Sequence, residues 1–252
     1  MSGATVGVLH PGEMGAAVGA ALTAAGHRVL WASSGRSAAT KGRAADAGMH
    51  DVETIGAVAR EADVILSICP PHAAADVARA ARGFGGIYVD ANAVSPASAT
   101  ALAATLTRFV DGGIIGPPPR TVGTTRLYVS GSEAQRVADI FTGTPLEARV
   151  ISADVGKASA LKMAYAAWTK GTAALLLAQR NAARAHGIDA ELAAEWQLSD
   201  PELAERLARA ERSAAAKGWR WVAEMEEIAD TFAAAGEPDG FHRAAADVYR
   251  RA

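Results

Sequence analysis

The chain has 252 residues, half of them hydrophobic, with 25 Lys and Arg against 27 Asp and Glu and a formal net charge of −2. That length buries a core without staples, and a single cysteine, Cys69, rules out an internal disulfide or a cysteine-rich zinc cluster. There is no basic stripe for nucleic acid, no apolar run of roughly 18 residues for a membrane span and no signal-peptide pattern, so the expectation is a soluble cytoplasmic protein without a metal.

Residues 5–9 read as a buried strand, followed by the turn His10-Pro11-Gly12-Glu13-Met14-Gly15 and an alanine-rich helix that stops at Gly26. Strand, glycine turn and helix in that order make a dinucleotide-binding turn. Gly12 lets a pyrophosphate approach the backbone, Gly15 lets helix and strand pack closely, and the helix N-terminus faces the anion. Gly12, Glu13, Met14 and Gly15 are therefore expected at the cofactor. His10 stands where the usual G-x-G-x-x-G has its first glycine and reads as a turn or pocket-wall residue.

A second strand, 27–32, runs into Ser33-Ser34-Gly35-Arg36. An enzyme using NAD carries Asp or Glu at this point to hold the ribose hydroxyls. Hydroxyls at Ser33 and Ser34, with cations at Arg36, Lys41 and Arg43, suit a 2′-phosphate instead, so the expected cofactor is NADP(H). Further strands at 64–68, 87–89, 109–110 and 126–129 alternate with helical stretches, which predicts βαβ units and a mainly parallel sheet. The α/β fold class that follows is an N-terminal Rossmann doubly wound sheet over residues 1–152.

After Ser152 the strands stop, and 153–252 reads as an all-helical substrate and dimerisation domain. Helices are expected over 155–186, 190–197, 201–217, 219–235 and 241–250, with stops at Gly187, Gly218 and the 236–240 segment. The first of them would be about 48 Å long at roughly 1.5 Å per residue. Leu175, Leu176 and Leu177 among its alanines suggest burial on nearly every side, hence a homodimer built on this helix.

The segments Gly7 to Gly15 and Ala24 to Val29 together resemble the β-hydroxyacid dehydrogenase and 6-phosphogluconate dehydrogenase superfamily. The stretch from Ala62 to Pro71 resembles its fourth strand and cofactor-facing loop, which places Cys69, Pro70 and Pro71 at the cofactor. The run from Tyr88 to Pro96 resembles its fifth strand and substrate loop, implying that Asn92 serves both cofactor and substrate. Val110 to Gly116 resembles its glycine-rich substrate segment, implying substrate contact at Gly112 and Gly113. Gly156 to Lys162 resembles the start of the helix bearing the catalytic lysine. The C-terminal run Glu224 to Ala229, then Gly240-Phe241-His242, resembles an uncharacterised branch with its own helical domain. Three family positions differ: the asparagine one turn after the lysine falls at Ala166, a substrate-contacting serine at Ile115, and a Lys-Asp pair at Ala223 and Glu224.

Hydride transfer to a carbonyl or imine needs a proton beside the reacting carbon. Lys162 is the candidate donor, among small apolar neighbours that disfavour its charged form. Helical spacing puts Ser159, Lys162, Tyr165 and Thr169 on one face, so Tyr165 joins Asn92, Gly112, Gly113 and Glu224 as a candidate for substrate. Trp168, Trp219 and Trp221 read as core or dimer contacts, and His242 as a cap or core residue. The expected function is NADP(H)-dependent hydride transfer to or from a small hydroxy or keto metabolite. A C=N reductase is the alternative among enzymes, and a non-catalytic NADP(H)-binding sensor the alternative outside them.

Overall fold

A computed structural model describes residues 3–251, which divide into two compact units, one through Lys162 and one from Met163. The first carries an eight-stranded sheet in the order β3-β2-β1-β4-β5-β6-β7-β8. Its strands are β1 (Thr5–Leu9), β2 (Arg28–Trp31), β3 (His50–Asp51), β4 (Val64–Ser67), β5 (Ile87–Asp90), β6 (Phe109–Ile115), β7 (Thr125–Ser130) and β8 (Leu146–Ser152). All neighbours run parallel except β6 and β7. The crossover helices are α1 (Glu13–Ala24), α2 (Ala38–Asp46), α3 (Ile55–Glu61), α4 (Ala74–Ala80), α5 (Pro96–Ala103) and α6 (Ala134–Ile140).

The central strands are buried and mostly apolar because helices cover both faces of a parallel sheet, with Ser67, Asp90 and Asp111 the polar exceptions. Alternate residues then feed two cores. Val6, Val8, Val29, Leu66 and Val89 face one, and Leu9, Leu30, Ile65, Tyr88 and Phe109 face the other. Strands β3 and β8 were not anticipated. One is two polar residues long, the other has most of its residues exposed, and both lie at the sheet's edges where apolar pattern is weakest. Strand β6 is much longer than the two residues expected, and Gly112 and Gly113 lie inside it, buried.

Helix α7 (Lys157–Ala185) starts in the first unit and ends in the second. The second unit continues with α8 (Asp189–Ser199), α9 (Leu203–Ala234) and α10 (Gly240–Arg250). The stops expected at Gly187 and Gly236 hold, each glycine with a positive φ after a helix. Gly218 does not stop a helix: it lies within the 32-residue α9, where an added Cβ would meet Tyr249 of α10 at 3.8–3.9 Å. That is ordinary contact distance, so neither a turn nor a tight helix approach accounts for this glycine. Trp221 packs edge-on against Tyr249 at 5.1 Å, and the Tyr249 hydroxyl donates to the Lys170 carbonyl at 2.6 Å, tying α7, α9 and α10 together.

Candidate active site

In a doubly wound sheet ligands bind beyond the carboxyl ends of the strands where the strand order reverses. Here that point lies between β1 and β4. The loops that leave these strands are the His10 to Gly12 turn and the Cys69 to Pro71 loop. Gly12 caps α1 without a side-chain hydrogen bond, and nothing lies within 4 Å of where its Cβ would stand. A Cβ on Gly15 would come within 2.5 Å of the His10 carbonyl oxygen, so only glycine lets α1 close onto β1. That carbonyl also accepts the Gly12 N–H at 2.7 Å.

His10 itself holds φ +68, the left-handed conformation that a glycine normally takes. Its Nδ1 and the Nε of Arg36 are buried with no hydrogen-bond partner in the protein. Burial, reinforced by the Arg36 cation, pulls the imidazole down to about 4, so the ring is neutral near pH 7.

At the end of β2, Ser33 is buried, while Ser34 is exposed and its N–H is held by the Glu53 carbonyl at 2.8 Å. Arg36 is half-buried after Gly35 at φ +71. Arg43 is engaged within the protein: its Nε donates to the Pro11 carbonyl at 3.2 Å, bracing the turn, and its Nη2 to Thr40. Sequence reasoning missed Asp51. The end of β3 sets it beside Ser33, and although burial pushes the other way, hydrogen bonds from the Ser33 side chain and the Glu53 and Ser33 backbone, with Lys41 nearby, hold its carboxyl below the usual range. An anion thus does sit in this corner, supplied by β3. Only the pairing of Trp31 with Asp51 could have shown it.

Asn92 is buried and its amide is committed. Its Nδ2 donates to Ser67 at 3.0 Å and Asp90 at 2.9 Å, and its Oδ1 accepts the Cys69 N–H at 2.5 Å. Both amide protons are used within the protein, so Asn92 clamps the loop after β4 to the end of β5. Direct donation to a ligand, the expected role, would have to break one of these bonds. Burial pushes the Cys69 thiol up to about 12, leaving it protonated.

Asp90 and Asp111 are register partners on β5 and β6, both fully buried. Asp111 anchors α7. Its Oδ2 accepts the N–H groups of Gly156 and Ser159 and the Ser130 hydroxyl, each at 3.0 Å, and its Oδ1 accepts the Ser159 hydroxyl at 2.5 Å. Ser130 Oγ in turn accepts the Ala158 N–H at 3.1 Å. This carboxylate therefore occupies the positive end of the helix. One turn later, Lys162 packs against β6: a Cβ on Gly113 would stand 2.9 Å from the Lys162 Cβ and from the Ala158 carbonyl oxygen. A Cβ on Gly112 would meet the Asp90 carbonyl at 3.0 Å. These glycines let β5, β6 and α7 pack closely; the substrate contact expected of them is a separate role and stays a proposal.

In the second unit, Tyr165 and Trp168 stand out from α7, 48% and 71% exposed. Glu224 is not solvated: its carboxylate meets the Lys170 ammonium at 2.5 Å, and both are nearly buried, with Lys170 also over the Trp221 ring. A substrate role for Glu224 must compete with that pair, which sequence spacing of 54 residues gave no means of finding. His242 is buried against Phe232 with ring centroids 4.3 Å apart, the core role among those expected.

Residues 5–94 match the family model described as NADP oxidoreductase, coenzyme F420-dependent, and residues 183–252 match the Domain of unknown function DUF1932. An uncharacterized 28.5 kDa protein in the 7S RNA 5′ region of Methanothermus fervidus is 34% identical over 162 residues, a match that spans 63% of this chain and 62% of that relative. The conserved protein MTH1747 of unknown function, described as structurally similar to 3-hydroxyacid dehydrogenases, is 27% identical, with 98% of this chain and 96% of that one covered and a TM-score of 0.70. Two solved structures share the fold at lower identity. One is 3-hydroxyisobutyrate dehydrogenase from Salmonella typhimurium (17% identical, 98% and 93% covered, TM-score 0.74), the other Streptomyces aurantiacus imine reductase (22%, 98% and 93%, TM-score 0.55).

Proposed function

We propose that this chain, one of the 3-hydroxyacid dehydrogenase-like proteins, is an NADP(H)-dependent oxidoreductase acting on a small hydroxy or keto metabolite, with Lys162 as its acid–base. The observation that carries the reading is the turn at the switch point: Gly12 open above the backbone, Gly15 closed onto the His10 carbonyl, and unpartnered nitrogens of His10 and Arg36 beside it. These features fit a phosphorylated dinucleotide. Gly12 to Gly15 would hold its pyrophosphate, Cys69 to Pro71 would flank it, and Ser33, Ser34 and Arg36 would face the adenosine ribose. The bound nicotinamide supplies or takes the hydride.

The protein's own part is proton management and orientation. In reduction the Lys162 Nζ gives a proton to the carbonyl oxygen, and in oxidation it takes one from the hydroxyl. Asp111 and Ser130 fix the first turn of α7, and packing against Gly113 fixes the start of the Lys162 side chain. Tyr165 and Glu224 remain proposed substrate contacts, Glu224 only if Lys170 yields it.

Reduction of a C=N bond is the second reading, favoured by the apolar residues at Ile115 and Ala166, both buried. Apolar residues at these two positions, where the resembled family carries polar ones, favour a less anionic substrate. No helix among the described residues is long and apolar enough to cross a membrane, and a cytoplasmic location is part of the proposal. So is a homodimer through the second unit, where a groove of about 650 Å³ runs past Trp168, Leu175, Leu203 and Trp221, with Leu175 66% exposed. Turnover of NADPH against panels of keto acids and cyclic imines tests the assignment. Consumption with neither panel, despite tight cofactor binding, would leave the sensor reading standing instead.

A further inference from the structure

We propose that His10 and Arg36 together read a phosphate group of the dinucleotide, and that His10 takes up a proton at Nδ1 from solvent as that phosphate arrives. The inference rests on the cofactor reading above and adds a residue to it that the glycine fingerprint does not contain. Three observations converge. A side chain is kept at φ +68 where glycine would be free of strain, and strain of this kind persists where the surroundings over-determine it. Two buried nitrogens in one corner, His10 Nδ1 and Arg36 Nε, have no hydrogen-bond partner within the protein, although buried polar groups are nearly always paired. The corner lies beside the open Gly12 at the switch point, where an anion with several acceptor oxygens can meet both nitrogens.

The charges around the ring say which way its proton moves. Burial and the Arg36 cation keep it neutral when the site is empty. The Cys69 thiol beyond Arg36 is protonated and contributes no charge. Arg43 spends its Nε on the Pro11 carbonyl, Asp51 is engaged by Ser33 and Lys41, and Glu13 opens α1 after the turn. A phosphate placed against both nitrogens offsets the Arg36 charge and favours imidazolium, so binding draws in a proton. A 2′-phosphate meeting arginine alone does the reverse, since its second ionisation near 6 is promoted and a proton is lost, and a pyrophosphate, already fully ionised, exchanges no proton there. Net proton uptake therefore marks the histidine in either case.

The pyrophosphate and the 2′-phosphate share this chemistry, and NAD⁺ against NADP⁺ distinguishes them. The test is titration calorimetry at about pH 6.5 in two buffers of different ionisation enthalpy, on the native protein, His10→Gly and His10→Asn. Both substitutes tolerate φ > 0, so the turn persists in each. The native protein should take up a fraction of a proton, and both variants should bind about tenfold more weakly with uptake abolished or reversed. Uptake with NADP⁺ alone assigns the 2′-phosphate, and uptake with both dinucleotides assigns the pyrophosphate. Native binding without uptake, or uptake that survives in His10→Gly, overturns the proposal while leaving the cofactor reading intact. Failure of the native protein to bind either dinucleotide overturns both.

Discussion

Asp111 offers the sharpest energetic test of how the site is built. Replacing it by alanine strips acceptors from four donors at once: the N–H groups of Gly156 and Ser159 and the hydroxyls of Ser130 and Ser159. The hydroxyls can rotate toward other acceptors, but the two buried N–H groups cannot, and at about 1–3 kcal/mol for each orphaned donor they cost about 2–6 kcal/mol together. Loss of a carboxylate at the N-terminus of α7 adds about 0.3–1 kcal/mol. Asp111→Ala should therefore destabilise the protein by about 4 kcal/mol. Asp111→Asn keeps one acceptor oxygen for the N–H pair and should cost about half as much. Urea denaturation followed by circular dichroism reads both values, provided the slope is unchanged between variants. A loss below about 1 kcal/mol for alanine, or asparagine costing more than alanine, would refute the view that this carboxylate holds the lysine-bearing helix in place.

Lys162→Met should leave NADPH affinity nearly unchanged while kcat falls by about 10²- to 10⁴-fold, the usual weight of one positioned acid–base group, and turnover above about a third of native would sink its role. NADPH should bind at least about tenfold tighter than NADH, with Arg36→Ala erasing the gap and Asp51→Asn widening it, since Asp51 opposes a 2′-phosphate; equal calorimetric affinities in the native protein would reject the preference. The unliganded protein should lose stability on acidification. His10 lies at about 4 when folded and His242 is also lowered, both first by burial, while near 6.5 is usual for an unfolded histidine, so stability is full above about pH 6.5 and drains as pH falls toward about 4. His10→Gly should flatten that loss in a series of melts, and an unchanged slope would count against the neutral buried ring. Leu175→Glu should give a monomer in sedimentation where the native chain is a dimer, and a native monomer at micromolar concentration would reject the interface.

What the sequence reveals follows from what each feature depends on. The dinucleotide turn is legible because strand, glycines and helix adjoin within about twenty residues, and each glycine answers a local demand, as the His10 carbonyl against Gly15 shows. The division between strand-rich and helical halves is legible from composition. Features set by register are not. Asp51 reaches Ser33 only because β3 joins β2 at the sheet edge. Asn92 looks available in sequence, yet the pairing of β4 with β5 brings Ser67 and Cys69 within reach and uses its amide. Lys170 and Glu224 meet only once α7 and α9 pack.

The same dependence explains why Gly218 was misassigned and why Gly112 and Gly113 read two ways. Glycine in a sequence says that something approaches the backbone closely, or that the chain must turn, but not which. At Gly12 the space is open, which is what the proposed pyrophosphate contact needs. At Gly112 and Gly113 it is already filled by the Asp90 carbonyl and by the Ala158 carbonyl with the Lys162 Cβ, while at Gly218 Tyr249 lies at ordinary contact distance. If Lys162 is the proposed acid–base, Gly113 bears on function too, because the approach it permits is that of the lysine-bearing helix. Adding a methyl group there, Gly113→Ala, would set a Cβ at 2.9 Å from a backbone carbonyl and from the lysine's own Cβ, neither of which can swing aside. Helix and strand must then part by several tenths of an ångström. That displacement moves Lys162 relative to β6 while leaving Gly12, Gly15 and Arg36 untouched. A loss of turnover with cofactor affinity preserved would follow, and a matching loss of both would mean that β6 and the dinucleotide turn are not separable in the way their contacts imply.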